Sequence, residues 1–406
     1  LVFFLASKLS PYATDGTTFY KNINSVKPGE NLVYDLENFK IKLHSNINLE
    51  LPNSEFLKND ETKMMSKLEN ELQNSIDLRF DADAKVGMSL SGGVDSLTIL
   101  SLMNKKRLKE TNFYTIFEDE NNEDYRYLKK LKDEMNFKLV KVPFAYSHNV
   151  FENYLNDLSK QIEIPVNFYG TAIPTLAISE QMKKDKIKVC IDGIGGDEIM
   201  GGYPIYERLS IANLRKNKFS DAIRNLNRIN NFEKPKFGRF LYTIMSIFYS
   251  GIINKSRPTN NQKNNNKITN FIFNSKIKNK FIKFNNDFMI DKVLNLKESQ
   301  LFDIKFNQLP YYIGISDSVN MLNSIESRSP FLDSRLYKYV FMDDSLKYRK
   351  GFNKYLLRKL LSLKIGNYYG FRKSKSGFTT FHGKKFLNEK KNVEIICDSS
   401  FIRSVF

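Results

Sequence analysis

The stretch that decides the fold runs from Lys85 to Leu100 and reads Lys-Val-Gly-Met-Ser-Leu-Ser-Gly-Gly-Val-Asp-Ser-Leu-Thr-Ile-Leu. Residues 85–90 have the character of a short strand, and Ser96–Lys109 has that of a helix. The loop Ser91–Ser96 between them contains two adjacent glycines, which allow backbone N–H groups to turn towards an anion at the positive end of the helix. The stretch therefore predicts a strand, a phosphate-binding turn and a helix.

Strand-like and helix-like runs alternate beyond this stretch. Further strands are predicted at Phe113–Phe117, Leu139–Pro143 and Ile187–Ile191, and further helices at Asp124–Met135 and Ile173–Lys184. Strands that alternate with helices of this length indicate an α/β fold built on a doubly wound parallel sheet.

The flanking regions have other patterns. Residues 61–80 carry apolar side chains at helical spacing, and the last hundred residues are predicted to form helical additions to the sheet. Residues 205–300 are predicted to be mostly helical, with a basic Asn/Lys-rich insertion near 254–283. Residues 1–50 read as short strands and turns.

A second glycine-rich loop follows the predicted strand Ile187–Ile191. Five of the chain's 19 glycines fall within residues 193–202, and the loop also contains Asp197. Ligands of open parallel sheets bind beyond the carboxyl ends of the strands, so Asp95 and Asp197 are expected at the same edge. Two carboxylates there could hold a magnesium ion that bridges the phosphates of ATP. An ordinary turn with acidic helix caps is the structural alternative.

Five segments, in order, resemble motifs of the asparagine synthetase family. Ser91–Ser96 matches the SGGxDS pyrophosphate loop of N-type ATP pyrophosphatases, and Asp192–Tyr203 is similar to xGxGxDExxGGY. Asn323–Asp333 resembles SLExRxPFLD, Lys354–Arg358 resembles KxxLR, and Lys373–Phe378 resembles (R/K)xKxGF. The resemblance covers residues 60–385, leaves 386–406 as a tail, and implies a sheet like that of the adenine nucleotide alpha hydrolases.

The resemblance implies a reaction and roles for particular residues. The standard member adenylates aspartate with Mg-ATP, releases pyrophosphate and transfers ammonia to give asparagine. ATP and pyrophosphate would bind at Leu90, Ser91, Gly92, Gly93, Asp95, Ser96, Ile116, Asp192 and Gly193. Asp95 and Asp197 would bind magnesium, Lys354 would be catalytic by neutralising charge on the phosphates, and Glu198 and Asp317 would contact the acceptor substrate. Arg328 and Pro330–Asp333 are expected to fix loops.

Two departures from the family pattern concern the acceptor side. Ile194 stands where family members usually have an acidic residue, and Ser318 follows Asp317 where many have arginine. Isoleucine cannot take a proton, and serine cannot form a bidentate pair with a carboxylate or a phosphate. Two alternatives therefore stay open beside aspartate amidation. The enzyme could act on another carboxylate, such as a sugar acid in surface-polysaccharide biosynthesis, or the chain could be a non-catalytic ATP-binding fragment that needs a partner.

Residues 1–50 resemble the closing strands of the family's N-terminal glutaminase domain, through Thr17-Thr18-Phe19 and Pro28-Gly29. The nucleophile of that domain is an N-terminal cysteine, whereas this sequence starts with Leu1. We therefore expect a remnant of the domain, with ammonia coming from solution or from glutamine through a glutaminase domain or subunit.

Composition adds general expectations. The formal net charge is +18, but lysine accompanies heavy asparagine and isoleucine usage along the whole chain, which favours a solvated basic surface over a nucleic-acid site. The two cysteines, Cys190 and Cys397, suggest no disulfide framework or zinc site. The longest apolar stretch, Phe240–Ile253, is too short to span a bilayer. We expect a cytoplasmic protein without membrane or nucleic-acid partners, with homodimerisation left open.

Overall fold

A computed structural model describes residues 16–18, 22–45, 52, 56, 60–117, 119–120, 122–144, 158, 169–207, 209–210 and 295–372. Several predicted features lie outside these residues. They are Phe19, the basic insertion near 254–283, the motif Lys373–Phe378, Cys397 and the tail 386–406.

The chain divides into two compact units. The sheet unit comprises Thr62–Gly195, Tyr312–Leu336 and Leu357–Phe406. The second unit comprises Leu1–Glu61, Gly196–Tyr311 and Tyr337–Leu356. Each unit is therefore assembled from separate stretches of the sequence.

The sheet unit contains five parallel strands. They are β3 (Val86–Ser89), β4 (Asn112–Phe117), β5 (Lys138–Pro143), β6 (Val189–Ile191) and β7 (Glu326–Arg328), after a separate hairpin of β1 (Glu30–Asp35) and β2 (Lys40–Ser45). Their spatial order is β5-β4-β3-β6-β7, with every neighbouring pair parallel. The chain builds outwards from β3 to β5 and then returns to the other side of β3. This reversal confirms the predicted doubly wound α/β fold and creates a topological switch point where β3 and β6 are neighbours.

Helices alternate with these strands as predicted. They are α1 (Glu61–Phe80), α2 (Val94–Ser101), α3 (Lys105–Glu110), α4 (Glu123–Met135) and α5 (Tyr169–Lys184). The predicted single helix Ser96–Lys109 is two helices, because the Asn104 side chain accepts a hydrogen bond from the Arg107 N–H at 2.9 Å and caps a new helix there.

The later elements are mainly helical, as expected. They are α6 (Gly196–Met200), α7 (Leu296–Lys305), α8 (Gln308–Met321), α9 (Asp344–Lys347), α10 (Tyr355–Ile365) and α11 (Asn367–Gly370), with 3₁₀ helices at Pro330–Leu332 and Ser334–Phe341. Among the described residues, no helix combines the length and apolar composition needed to cross a membrane.

Burial of α1 follows its periodicity. Met64, Leu68, Leu72 and Ile76 recur every fourth residue, and each is at most 1% exposed. The spacing places these side chains on one face of the helix, which packs into the core.

Strand β7 was not predicted. Glu326–Arg328 is three residues long and entirely polar, so it lacks the apolar run that marks a buried strand. Its pairing with β6, Val189↔Glu326 to Ile191↔Arg328, supplies the structure that the local sequence does not signal.

The loop after β7 is fixed by polar contacts, as its motif suggested. The Asp333 carboxylate lies 2.6 Å from the Arg79 guanidinium and 2.7 Å from that of Arg335. Arg328 donates to the backbone carbonyls of Arg79 and Asp81, at 3.0 and 2.9 Å. These contacts tie the end of α1 to the loop.

Asp333→Asn removes the charge that both arginines bind. Hydrogen bonding to Arg335 holds the pKa of Asp333 well below its usual range, so its stabilisation is complete at neutral pH and is lost as pH falls through the acidic range. We expect the free energy of unfolding at pH 7 to fall by about 1–3 kcal/mol, with a smaller difference at pH 3.

Urea unfolding measures this effect, and Asp77→Asn is the matched control. Asp77 also pairs with an arginine, Arg107, but its side chain is 48% exposed, so the loss should stay below about 1 kcal/mol. Equal losses in the two variants at pH 7 would contradict the role given to Asp333.

Candidate functional site

The loop Ser91–Ser96 connects β3 to α2, as the sequence predicted. Gly92 has φ +69°, a conformation that favours glycine, and Gly93 occupies the N-cap of α2 without offering a capping side chain. The Ser96 hydroxyl donates to the Gly93 carbonyl at 3.1 Å and lies 3.4 Å from the Ser91 hydroxyl. The loop thus gathers backbone N–H groups and two hydroxyls at the positive end of a helix, a chemistry suited to phosphate.

The first residues of the second glycine loop, up to Gly195, belong to the sheet unit, where Gly193 lies against the first loop. A Cβ atom at Gly193 would lie 3.1 Å from the Asp95 Cβ and 3.4 Å from the Ser96 backbone nitrogen. At Gly195, where φ is +94°, a Cβ atom would meet the Leu332 side chain at 2.5 Å. Glycine therefore permits the close approach of loops that follow β3, β6 and β7.

Leu90 and Ile116, which were predicted to bind the nucleotide, lie at the carboxyl ends of β3 and β4. Leu90 is fully buried and donates its N–H to the Tyr114 carbonyl at 2.8 Å, while Ile116 is half-buried near the end of β4. Leu90 packs the core beneath the loop, and its role towards a nucleotide stays a prediction.

Asp192 and Asp317 line the same cavity of the sheet unit, which has a volume of about 330 Å³ and also contacts Ile194. The Asp192 Oδ1 accepts hydrogen bonds from the Ser329 hydroxyl at 2.5 Å and from the Ile194 N–H at 3.0 Å. Its Oδ2 has no hydrogen-bond partner within the part of the chain that the structure describes. A predicted nucleotide residue and a predicted acceptor residue are thus brought together.

The charge of Asp192 is energetically unfavourable. Burial raises the pKa of this carboxyl to about 6, although hydrogen bonds from Ser329 and Ile194 oppose the shift. The cavity therefore contains a carboxyl that titrates close to neutral pH, next to the apolar side chain of Ile194.

Asp197 and Lys354 form an ion pair in the second unit. The Lys354 ammonium lies 2.6 Å from the Asp197 Oδ1, and the lysine side chain is 6% exposed against 37% for the aspartate. A Cβ atom at Gly202 would collide with both side chains, and the Asn353 amide holds the Gly202 carbonyl at 2.7 Å. Glycine at this position therefore makes room for the pair.

Glu198 lies beside this pair in sequence but is buried. It is 2% exposed, and its Oε1 accepts a hydrogen bond from the Tyr203 hydroxyl at 2.7 Å. Burial and the neighbouring Asp197 raise the pKa of Glu198 to about 7, against the opposing effects of Tyr203 and Lys354.

Tyr203, Ser329, Gly202 and Asn353 were missed as site residues by sequence reasoning. Gly202 and Tyr203 end the motif Asp192–Tyr203, and Ser329 lies in the motif Asn323–Asp333. Both motifs were recognised in the sequence, but neither indicated a role for these residues. Asn353 directly precedes Lys354, and nothing in its sequence context indicates a contact with Gly202.

The predicted magnesium ligands suit a site in which substrate phosphates supply part of the coordination. Among the described residues, no three His, Cys, Asp or Glu side chains cluster to hold a metal ion. Magnesium is usually held by one or two carboxylates together with substrate phosphates, so a single carboxylate such as Asp95, next to a phosphate-binding loop, suits this mode.

Asp192→Asn tests the buried carboxyl. The raised pKa means that the folded protein holds a proton which the unfolded chain releases, so wild-type stability falls as pH rises from about 4 to about 6. The variant keeps the oxygen that Ser329 and Ile194 contact but cannot ionise. Relative to wild type, its free energy of unfolding should therefore rise by on the order of 1–3 kcal/mol between pH 4 and pH 7.

Thermal or urea unfolding at both pH values measures this change. Asp317→Asn is the matched control, since that carboxylate lines the same cavity but is exposed to water, and no comparable gain is expected. A difference between Asp192→Asn and wild type that is the same at both pH values would contradict the argument.

Comparison with known proteins gives several partial similarities. The chain is 33% identical over 189 residues to a Methanocaldococcus jannaschii protein named as a glutamine-hydrolysing asparagine synthetase, a match that covers 46% of this chain and 34% of that protein. It is 25% identical over 333 residues to asparagine synthetase 1 of Bacillus subtilis, covering 74% and 47%. It is 24% identical over 364 residues to the amidase chry2 of Gibberella zeae, covering 81% and 53%.

These matches extend over about a third to about half of the length of the relatives. Among solved structures, NMN synthetase from Francisella tularensis superposes with a TM-score of 0.25 at 19% identity, over 36% of this chain and 60% of that one. The fold assignment therefore depends on the strand order and not on this superposition.

The family model described as asparagine synthase matches residues 67–403, which is most of the chain. This region includes both glycine loops, the cavity and the Asp197–Lys354 pair. The chain belongs to the asparagine synthase family.

Proposed function

We propose that this protein is an ATP-dependent ligase that adenylates a carboxylate and then forms an amide, as in asparagine synthesis. The observation that carries the proposal is the close approach of Gly193 to Asp95 and Ser96 at the switch point of the sheet, which leaves little room for a larger side chain. Open parallel sheets bind ligands at such a point, and the first turn of α2 presents N–H groups to a phosphate there.

The proposed reaction has two steps. An oxygen of the substrate carboxylate attacks the α-phosphorus of ATP, and the bond from that phosphorus to the pyrophosphate oxygen breaks. Ammonia then attacks the carbonyl carbon of the acyl-adenylate, the bond to the AMP oxygen breaks, and the nitrogen loses a proton. Ser91, Gly92, Gly93 and Ser96 would hold the leaving pyrophosphate through their N–H and hydroxyl groups.

Lys354 is proposed to neutralise charge that develops on the phosphates. Its ammonium is buried and held by Asp197 at 2.6 Å, which limits the conformations of a flexible side chain. A point cation with a restricted position is suited to stabilising a transition state that carries extra negative charge. Asp95 and Asp197 are each proposed as a magnesium ligand, and magnesium would supply further charge neutralisation to the phosphates when bound.

The acceptor is proposed to be aspartate, with Asp317 and Glu198 as contacts. A second candidate acceptor is another carboxylate, such as a sugar acid, and one observation motivates it. Ile194, which stands where the family usually has an acidic residue, lines the cavity with Asp192 and Asp317. An apolar side chain there changes the surface that a substrate would meet.

The nitrogen is proposed to come from ammonia, either free or released from glutamine by a glutaminase domain or subunit. The third reading, a non-catalytic ATP-binding fragment, would bind nucleotide without forming AMP. A cytoplasmic location and the absence of nucleic-acid and membrane partners stay predictions.

Asp95→Ala should abolish ATP–pyrophosphate exchange. Removing this carboxylate takes away the proposed magnesium ligand beside the phosphate loop, and the rate should fall by at least about 100-fold. Asp83→Ala, an exposed aspartate of the same unit, is the matched control and should exchange at the wild-type rate. Near-normal exchange in Asp95→Ala would overturn the site assignment.

AMP release with different carboxylates separates the alternatives. We expect aspartate to stimulate AMP release in the presence of Mg-ATP and ammonia, and a hexuronic acid not to do so. The opposite pattern would establish the alternative acceptor. Nucleotide binding without AMP from any carboxylate would support the non-catalytic reading and contradict the proposal.

A further inference from the structure

Helix α6 is too short to hold its own position. It has five residues, Gly196–Met200, and includes both Asp197 and Glu198. A helix of this length is unstable by itself, because nucleation fixes several backbone angles for each hydrogen bond gained. Its geometry must therefore be imposed by the residues of the second unit that surround it.

The carboxyl end of α6 is closed in two ways. Gly201 has φ +76°, and the Gly202 N–H donates to the Asp197 carbonyl at 2.8 Å, the pattern of a Schellman motif. The next two carbonyls, of Glu198 and Ile199, accept hydrogen bonds from the Gln300 side-chain amide at 2.7 and 3.1 Å. A side chain of α7 therefore caps carbonyls that a helix end leaves unsatisfied.

Lys347 determines which way the Gln300 amide points. The Lys347 ammonium lies 2.7 Å from the Gln300 Oε1 and 2.6 Å from the Val340 carbonyl. An ammonium can donate but cannot accept, so the oxygen of the amide must face it. The amide nitrogen is then directed at the carbonyls of α6.

Burial is unfavourable for the positive charge of the Lys347 ammonium. Lys347 and Gln300 are both fully buried, and burial lowers the pKa of Lys347 to about 8, against the opposing attraction of Asp344 and Asp343. An apolar side chain of similar volume would fill this space without the desolvation cost. Any benefit of the Lys347 ammonium must therefore come from its hydrogen bonds, which orient the Gln300 amide and the Val340 carbonyl.

We propose that Lys347 and Gln300 are a positioning pair that holds helix α6, and that this hold sets Asp197 and Glu198 for the adenylation reaction. The positioning itself follows from the hydrogen bonds of the second unit, whereas its catalytic consequence rests on the proposed function. Neither side chain is placed in contact with a substrate.

Lys347→Met tests the pair because it keeps the length of the side chain and removes its donors. Without them the Gln300 amide can rotate and release the carbonyls of Glu198 and Ile199. We expect the amides of residues 196–202 to exchange with deuterium at least about tenfold faster, with the Gly202 N–H as reporter, while amides of α7 change less than twofold. Hydrogen-exchange mass spectrometry of the ligand-free full chain measures both.

Lys297→Met is the matched control, because it removes a neighbouring positive charge that is exposed on α7. It should leave the exchange of residues 196–202 unchanged. Faster exchange spread equally over α7 and residues 337–348 in Lys347→Met would indicate a general structural role and overturn the positioning proposal. Unchanged exchange at residues 196–202 would overturn it as well.

Gln300→Glu is a second test of the pair, for use if Lys347→Met does not fold. The new carboxylate still accepts from Lys347, which preserves the partner of the buried ammonium, but it cannot donate to the carbonyls of α6. Exchange at residues 196–202 should again rise about tenfold, and protection equal to wild type would reject the role of Gln300.

Kinetics separate this proposal from the proposed function. In ATP–pyrophosphate exchange, either variant should lower kcat about tenfold or more, a larger effect than on the KM for ATP, because displacing Asp197 moves the Lys354 ammonium that is proposed to act in the transition state. Faster hydrogen exchange with unchanged kcat would reject the catalytic consequence. Absence of exchange activity in wild type would reject the proposed function while leaving the hydrogen-exchange result to decide the positioning.

Discussion

The parallel pairing of β3 with β6 is the constraint on which the sheet unit depends. The register Val86↔Val189, Gly87↔Cys190 and Met88↔Ile191 brings the ends of both strands to the same edge of the sheet. A shift of one residue would turn every side chain of a strand to the opposite face and move the loop that follows it. The loops that leave β3 and β6 therefore meet, and Gly193 can lie against Asp95.

Carboxyl groups in the sheet unit illustrate how the environment sets their chemistry. Asp192 and Asp333 are both buried, but the pKa of Asp192 is raised by desolvation, whereas the pKa of Asp333 is lowered by hydrogen bonds from arginine side chains. Asp333 therefore stabilises a loop at neutral pH, while Asp192 keeps an unfavourable charge in a cavity. The second arrangement is common at functional sites, where stability and activity make opposite demands.

In the second unit, the short helix α6 is held by hydrogen bonds from side chains that are far away in the sequence. Gln300 and Lys347 are about 100 and 150 residues beyond α6, yet the Gln300 amide donates to the carbonyls of Glu198 and Ile199, and Lys347 orients that amide. Asp197, a residue of α6, forms its ion pair with Lys354 next to Gly202. A five-residue helix can present a carboxylate with a defined geometry only when such contacts replace the stability that it lacks.

The sequence by itself determined the alternation of strands and helices, the two glycine loops and the family, because these depend on local periodicity, turn chemistry and motif order. From the residues that follow the strands, it predicted that Asp95 and Asp197 lie at the same edge of the sheet. The division of Ser96–Lys109 into two helices follows from the local cap by Asn104. The polar strand β7, the shared cavity of Asp192 and Asp317 and the Gln300–Lys347 pair were decided by the tertiary structure. Burial and long-range hydrogen bonds create these features, and neither is encoded in the spacing of neighbouring residues.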